Sequence, residues 1–242
     1  MNVALILAFL FYIGSSFGWI LELFFRRMIT KKWINPGFLT GPYLPIYGVG
    51  LCMLFLLSLV DMSLVENPLL QNLVIVIFLG IILTLVEYIS GIIFIKGMKV
   101  KLWDYSNMWG NIDGIICPLY TFFWCILGGI YYFFIQSHMI DAVVWLSNNL
   151  AFSFVIGFFF GILTIDLSHS MNLVLKIKKF AKENDILVKF EELKKSIREE
   201  QEKRREKINY LFAFKTTKHL TEILAEYKVK AEEKLIKRRN ER

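Results

Sequence analysis

The run LLQNLVIVIFLGIILTLVEYISGIIFI, Leu69 to Ile95, decides the fold class: its 27 residues contain one charged group, Glu87, and no proline. An α-helix rises 1.5 Å per residue and a bilayer's hydrocarbon core is about 30 Å thick, so roughly 20 such residues cross it. Only a closed barrel or a helix can satisfy its backbone there, and this run has no strand-like alternation of polar and apolar positions. Working outward, four further runs have the same character. The expected spans are about 3–25, 43–64, 69–95, 114–135 and 142–168. The expected fold is all-α: a polytopic membrane helix bundle of five spans, followed by a helical tail. The first run has no basic residue ahead of it and is followed by Arg26 and Arg27, which suits a retained helix better than a cleaved signal.

Charge divides the chain into two regions, 1–172 and 173–242. The first holds 7 Lys/Arg and 8 Asp/Glu; the second holds 21 and 13, so the net charge of +7 comes from the tail. Too few charges remain in residues 1–172 to solvate the surface of a soluble domain of that size. Cys52, Cys117 and Cys125 all lie in apolar runs, which argues for buried thiols and against a disulfide framework.

The basic residues also orient the bundle. Arg26, Arg27, Lys31 and Lys32 share one loop, and Lys96, Lys99 and Lys101 share another. The alternate loops carry Asp61 and Glu66, then His138 and Asp141. Positive loops face the cytoplasm, so the N-terminus is expected outside and the C-terminus inside, in the cell's plasma membrane.

A seven-residue pattern occurs twice. Gly41-Pro-Tyr-Leu-Pro45-Ile-Tyr47 and Gly114-Ile-Ile-Cys-Pro118-Leu-Tyr120 both read G-x-x-x-P-x-Y, each after a basic loop. Each follows a span that ends near an acid, Glu22 or Glu87. Gly161-Ile-Leu-Thr-Ile-Asp166 echoes the run from Gly80 to Glu87 as a third half-unit, which implies a parallel internal repeat. Within a helix, each proline would free the carbonyl of the residue four positions earlier, here a glycine. Such a break has two readings: a packing kink, or a polar lining to which Gly41, Pro45, Tyr47, Gly114, Pro118 and Tyr120 contribute.

Acids at membrane depth normally face protein or a cavity. Glu22 precedes Arg26 by four residues, the spacing of an ordinary helical ion pair. Glu87 has no cation on its own helix, so it is expected to be neutral or to be matched by another helix. Asp166 and His169 stand at i,i+3 spacing; an intrahelical hydrogen bond is expected ahead of a metal site, because no HExxH or Cys-x-x-Cys accompanies them. The run from Trp103 to Gly114 mixes aromatic and polar residues, as a headgroup-level segment or a re-entrant one would.

The tail contains no proline or glycine from Met171 onward. Phe190, Leu193 and Ile197 begin one apolar stripe. Leu220, Ile223, Leu224, Tyr227, Ala231 and Leu235 form another, with a bend expected at Tyr210–Phe214. A basic helical hairpin or coiled coil held against anionic inner-leaflet lipid is expected. Nucleic acid is a poor partner, because the bases alternate with acids and no recognition motif is present.

The runs Gly18-Trp-Ile-Leu-Glu22 and Asn35-Pro-Gly-Phe-Leu-Thr-Gly41-Pro-Tyr-Leu-Pro45-Ile-Tyr47-Gly48, with Trp103-Asp-Tyr-Ser, Asn111 and Gly114 to Tyr120, resemble the putative ABC-transporter type IV family of bacterial membrane proteins. The resemblance covers roughly residues 12–170 and implies a permease-like subunit. It brings no catalytic or substrate-binding residues with it, and the tail lies outside it. No G-x-x-x-x-G-K-[S/T] occurs, so energy for transport would need a separate ATPase subunit or an ion gradient. The leading expectation is a transport-related subunit without catalytic residues, cofactor or metal. The alternatives are a membrane-anchored scaffold acting through its tail, and an intramembrane lipid-modifying enzyme using Glu87, Asp166 or His169 as acid–base groups.

Overall fold

The computed structural model describes residues 2–59, 67–203, 222–223 and 225–230. Helix α1 (Val3–Thr30) is capped by Asn2, whose side chain accepts the Ala4 N–H at 3.0 Å. It stops at Lys31, which adopts a left-handed φ of 59°. Helix α2 (Pro45–Ser58) and helix α3 (Pro68–Ile92) each open on a proline, and Asn67 caps α3. A π-turn, Ile93–Gly97, ends α3. Helix α4 (Pro118–Ile130) passes through a π-turn, Tyr131–Ile135, directly into α5 (Gln136–Asn148). A single 3-10 turn leads to α6 (Ser153–Glu183), and α7 (Phe190–Lys203) follows.

Among the described residues, four helical runs are long and apolar enough to cross a membrane: Val3–Thr30, Pro68–Gly97, Pro118–Asn148 and Leu150–Glu183. One expectation is described only in part here, and one changes. Helix α2 has 14 described residues, about 21 Å of rise, shorter than a bilayer core. The end of its expected span, 60–64, and the loop carrying Asp61 and Glu66 lie outside the described residues. The loop expected near His138 and Asp141 is instead helix. The interval between Gly129 and Gly157 contains no glycine or proline, so polar composition alone does not break the chain there.

The bundle is turned inside out relative to a soluble protein. Large apolar side chains such as Phe17, Phe154, Phe158 and Ile165 face outward, each more than 60% exposed. Inside, α1 packs closely on α2, and α3 on α4. A Cβ at Gly48 would lie 2.8 Å from the Phe11 carbonyl oxygen, and one at Gly80 would lie 2.8 Å from the Cα of Cys125. Small residues at such crossings let helix backbones approach where lipid offers no competing hydrophobic drive.

The tail is not a separate coil. Helix α6 runs through the expected boundary at 172–173 without a break. Two short strands, β1 (Val100–Lys101) and β2 (Val188–Lys189), pair in parallel, a minor departure from the all-α expectation. Val174, Ile177 and Ala181 of α6, Val100, Val188, and Phe190, Leu193 and Ile197 of α7 form one core with Ile223 and Tyr227. The stripe expected on α7 is thus buried. The expected bend at Tyr210–Phe214, together with Leu220, Leu224, Ala231 and Leu235, lies outside the described residues.

This core is clamped to both basic loops. Lys194, 5% exposed, donates to the carbonyls of Asn35 at 2.7 Å and Gly37 at 2.6 Å. Glu191 meets Arg26 at 2.9 Å, and Lys189 meets Asp104 at 2.5 Å. Burial opposes ionisation of Asp104, but Lys101 and Lys189 outweigh it and hold the carboxyl well below the usual carboxylate range. Burial pulls Lys194 down from its ordinary 10.5 to about 8, against the nearby charge of Glu191.

Lys194 therefore gives up its proton in the folded protein before it does in the unfolded chain. Its contribution to stability rises as pH climbs from about 8 toward 10.5 and is unchanging below that window. Lys194→Met removes this titration. The difference in Tm between wild type and Lys194→Met in detergent should grow in favour of wild type between pH 8 and pH 10. A pH-independent difference would contradict the assignment.

Candidate functional site

Both G-x-x-x-P-x-Y prolines are the first residue of their helix, after an extended residue, Leu44 or Cys117. There the missing N–H has no helical partner to lose. The expected broken helix is therefore a helix start. The two glycine carbonyls are not free either: Gly41 accepts the Tyr43 N–H at 3.0 Å, and Gly114 accepts the Tyr105 N–H at 2.8 Å. Gly114 has a φ of +62°, and a Cβ there would collide with the Lys101 Nζ and the Ser106 Oγ. The pattern builds the loop that enters the helix.

Those loops bring the two tyrosines and two of the acids together. The Tyr47 hydroxyl donates to Glu22 Oε2 at 3.0 Å, and Arg26 Nε donates to Glu22 Oε1 at 3.0 Å, as the i,i+4 spacing predicts. Arg26 is shared, because its other arm holds Glu191 of the tail. The Tyr47 ring meets the edge of Trp124, with centroids 6.0 Å apart. Trp124 Nε1 donates to Glu87 Oε2 at 2.8 Å, and the Tyr105 hydroxyl donates to Glu87 Oε1 at 3.1 Å. Tyr105 stacks on Tyr120 at 4.3 Å. Glu87, 4% exposed, is thus matched from another helix and a loop, by neutral donors.

Asp166 belongs to a second cluster. Its carboxylate accepts from the Thr40 hydroxyl at 2.6 Å, the Gly41 N–H at 2.9 Å, the Tyr43 hydroxyl at 2.6 Å and Ser170 Oγ at 3.1 Å. The Thr40 N–H adds a further bond at 3.1 Å. The expected intrahelical bond to His169 is replaced by the one to Ser170, a full turn on, while His169 is exposed. With every nearby group donating N–H or O–H to it, the carboxylate is arranged as an anchor for loop 40–43 and not as a metal ligand. Among the described residues no cluster of His, Cys, Asp and Glu could hold a metal ion.

Trp124, Tyr105, Thr40, Tyr43 and Ser170 complete these clusters and were not expected from sequence. Each can satisfy a buried carboxylate, but which hydroxyl or indole does so is fixed by helix pairing and not by spacing. Asn35 and Asn111 brace the two loops alike: Asn35 accepts from Trp19 Nε1 at 2.7 Å, and Asn111 accepts the Gly114 N–H at 3.0 Å.

Beside Tyr47 and Trp124 opens a cavity of about 340 Å³ between α1, α2, α3 and the α4–α5 run. Its wall is almost wholly apolar, from Leu21 and Val86 at the end near the acids to Met139 at the other. Apolar helices turned outward, around a partly open apolar pocket with the carboxylates of Glu22 and Glu87 beside one end, define a helical membrane protein. The chain belongs to the putative ABC-transporter type IV family, whose profile matches residues 9–171, and it is a membrane protein related to transport. No curated protein and no solved structure matches the chain.

Two substitution sets follow from the carboxylate contacts. Glu87→Gln can still accept from Trp124 and donate to the Tyr105 oxygen, so its Tm should stay near wild type. Glu87→Ala strands the half-buried indole N–H of Trp124 and should cost about 1–3 kcal/mol. Equal Tm values for Glu87→Gln and Glu87→Ala would contradict this geometry.

Asp166→Asn presents an amide to donors that include two fixed backbone N–H groups. It should lower the melting temperature in detergent more than Thr40→Val, on the scale of a charged hydrogen bond, about 1.5–3 kcal/mol. An Asn variant as stable as wild type would remove the anchoring role.

Proposed function

We propose that this chain is the permease-like, membrane-spanning subunit of a transporter, in the plasma membrane, working with a separate ATPase. The observation that carries the reading is the cavity at the junction of two helix pairs, in a chain whose family is transport-related. The chain crosses five times, with its N-terminus outside and its C-terminus inside. Helices α1–α2 and α3–α4 are two copies of one parallel unit, and α6 is a third half-unit. The two basic loops and the tail face the cytoplasm, next to anionic lipid. Energy from ATP enters through the partner, since this chain has no phosphate-binding loop of the Walker type.

The chain has no catalytic role in this reading. Glu87 and Asp166 already accept hydrogen bonds from several neighbours, which suits holding a structure more than exchanging protons with a substrate. The tail's contacts with both basic loops also favour a permease over a scaffold whose bundle is merely an anchor.

Two measurements test the proposal. With native cysteines removed, a cysteine at Ser63 should react with an impermeant thiol reagent in intact cells, and one at Lys99 should not; the reverse pattern would overturn the topology. Purified from its own cells in mild detergent, the chain should bring an ATPase with it. Repeated recovery without one, under conditions that preserve the fold, would overturn the permease assignment.

A further inference from the structure

We infer that the cavity takes the hydrocarbon chain of a single-chain amphiphile whose head carries a positive charge, with the head at the Tyr47–Trp124 end. This deepens the transport reading by naming a substrate class, and it rests on that reading only for the ligand's eventual movement, not for its binding.

Shape and polarity come first. Along the α4–α5 run the lining residues extend from Trp124 to Met139, fifteen positions or about 22 Å of helix rise. The volume of about 340 Å³ falls at the small end of ligand sites, which span roughly 300–1,000 Å³. A narrow, elongated, apolar space suits an extended chain better than a compact polar solute. Tyr47 and Trp124 are the aromatic residues at its acid end, and each has its polar atom turned away onto a carboxylate, leaving ring surface toward the cavity.

Charge selects the head. Behind Tyr47 lies Glu22 and behind Trp124 lies Glu87. The cation in contact with them, Arg26, is already divided between Glu22 and Glu191. Glu87 is bonded by neutral donors, an indole and a phenol. With Lys194 near Glu191 and Glu22, two cations stand against the carboxylates of Glu22, Glu87 and Glu191, so the acid end keeps a net negative charge, and little water screens Glu87. A fatty-acid or phosphate head would be repelled, and an ammonium head would gain both the field of the carboxylates and the faces of the rings.

The test uses the full-length protein in nanodiscs of an uncharged lipid, without nucleotide or partner. An alkyl-trimethylammonium probe carrying a diazirine at its chain end is photolysed, and labelled peptides are mapped. Labelling is expected within residues 124–139 and 45–58. Dodecyltrimethylammonium should suppress it at lower concentration than dodecanol, and dodecanol at lower concentration than dodecyl sulfate. Val86→Phe, which fills the cavity, should abolish this labelling. Glu87→Gln should keep it while weakening the ammonium competitor on the order of tenfold, the loss of one charge interaction in a partly desolvated site. Glu87→Gln, whose melting temperature should stay near wild type, separates loss of the fold from loss of the charge at the site.

Labelling spread over the outward-facing helix surfaces and indifferent to Val86→Phe would overturn the site. Dodecyl sulfate competing as well as the ammonium compound would overturn the head assignment. Either result leaves the topology and the ATPase partnership to their own measurements, so the two proposals fail separately.

Discussion

A carboxylate carried into hydrocarbon has to bring its hydrogen-bond donors with it, and three such groups organise this bundle. Each acid leaves its own helix to bond the segment that must lie beside it. Glu22 of α1 holds Tyr47 of α2, Glu87 of α3 holds Trp124 of α4 together with Tyr105 of the preceding loop, and Asp166 of α6 holds loop 40–43. Water cannot substitute at those positions without cost, so the bonds act as staples whose alternatives are poor. Close helix crossings at Gly48 and Gly80 then bring the pairs near enough for the staples to reach.

The parts of this arrangement that sequence could reveal were those set by composition. Apolar runs located the four long helical runs, and i,i+4 spacing found the Glu22–Arg26 pair. Proline misled, because a residue that breaks a helix from within also starts one well; only the extended backbone at Leu44 and Cys117 distinguishes the two. The polar cluster around His138 misled for the opposite reason, since a helix tolerates polar residues wherever the backbone can stay bonded. Trp124 and Tyr105 were illegible as partners of Glu87, because their meeting depends on how α3 and α4 pack.

The tail's composition read as a basic helical hairpin or coiled coil held against lipid. Its apolar positions, however, combine with residues from a loop 88 positions earlier, as the register of Val100 with Val188 makes plain. A stripe on a helix announces that something covers it, but not which part of the chain does so. Arg26 and Lys194 give the cover its address: one pairs with Glu191, and the other is a buried ammonium that only the Asn35 and Gly37 carbonyls and nearby acids make tolerable.

Helix α6 is 31 residues long, about 46 Å, and no glycine or proline follows Gly161 within it. It carries Asp166 near its middle and Val174, Ile177 and Ala181 toward its end. A stiff rod of this kind has no joint at the membrane surface. A displacement of the tail core would therefore move Asp166 with it, and through Asp166 the loop that opens α2.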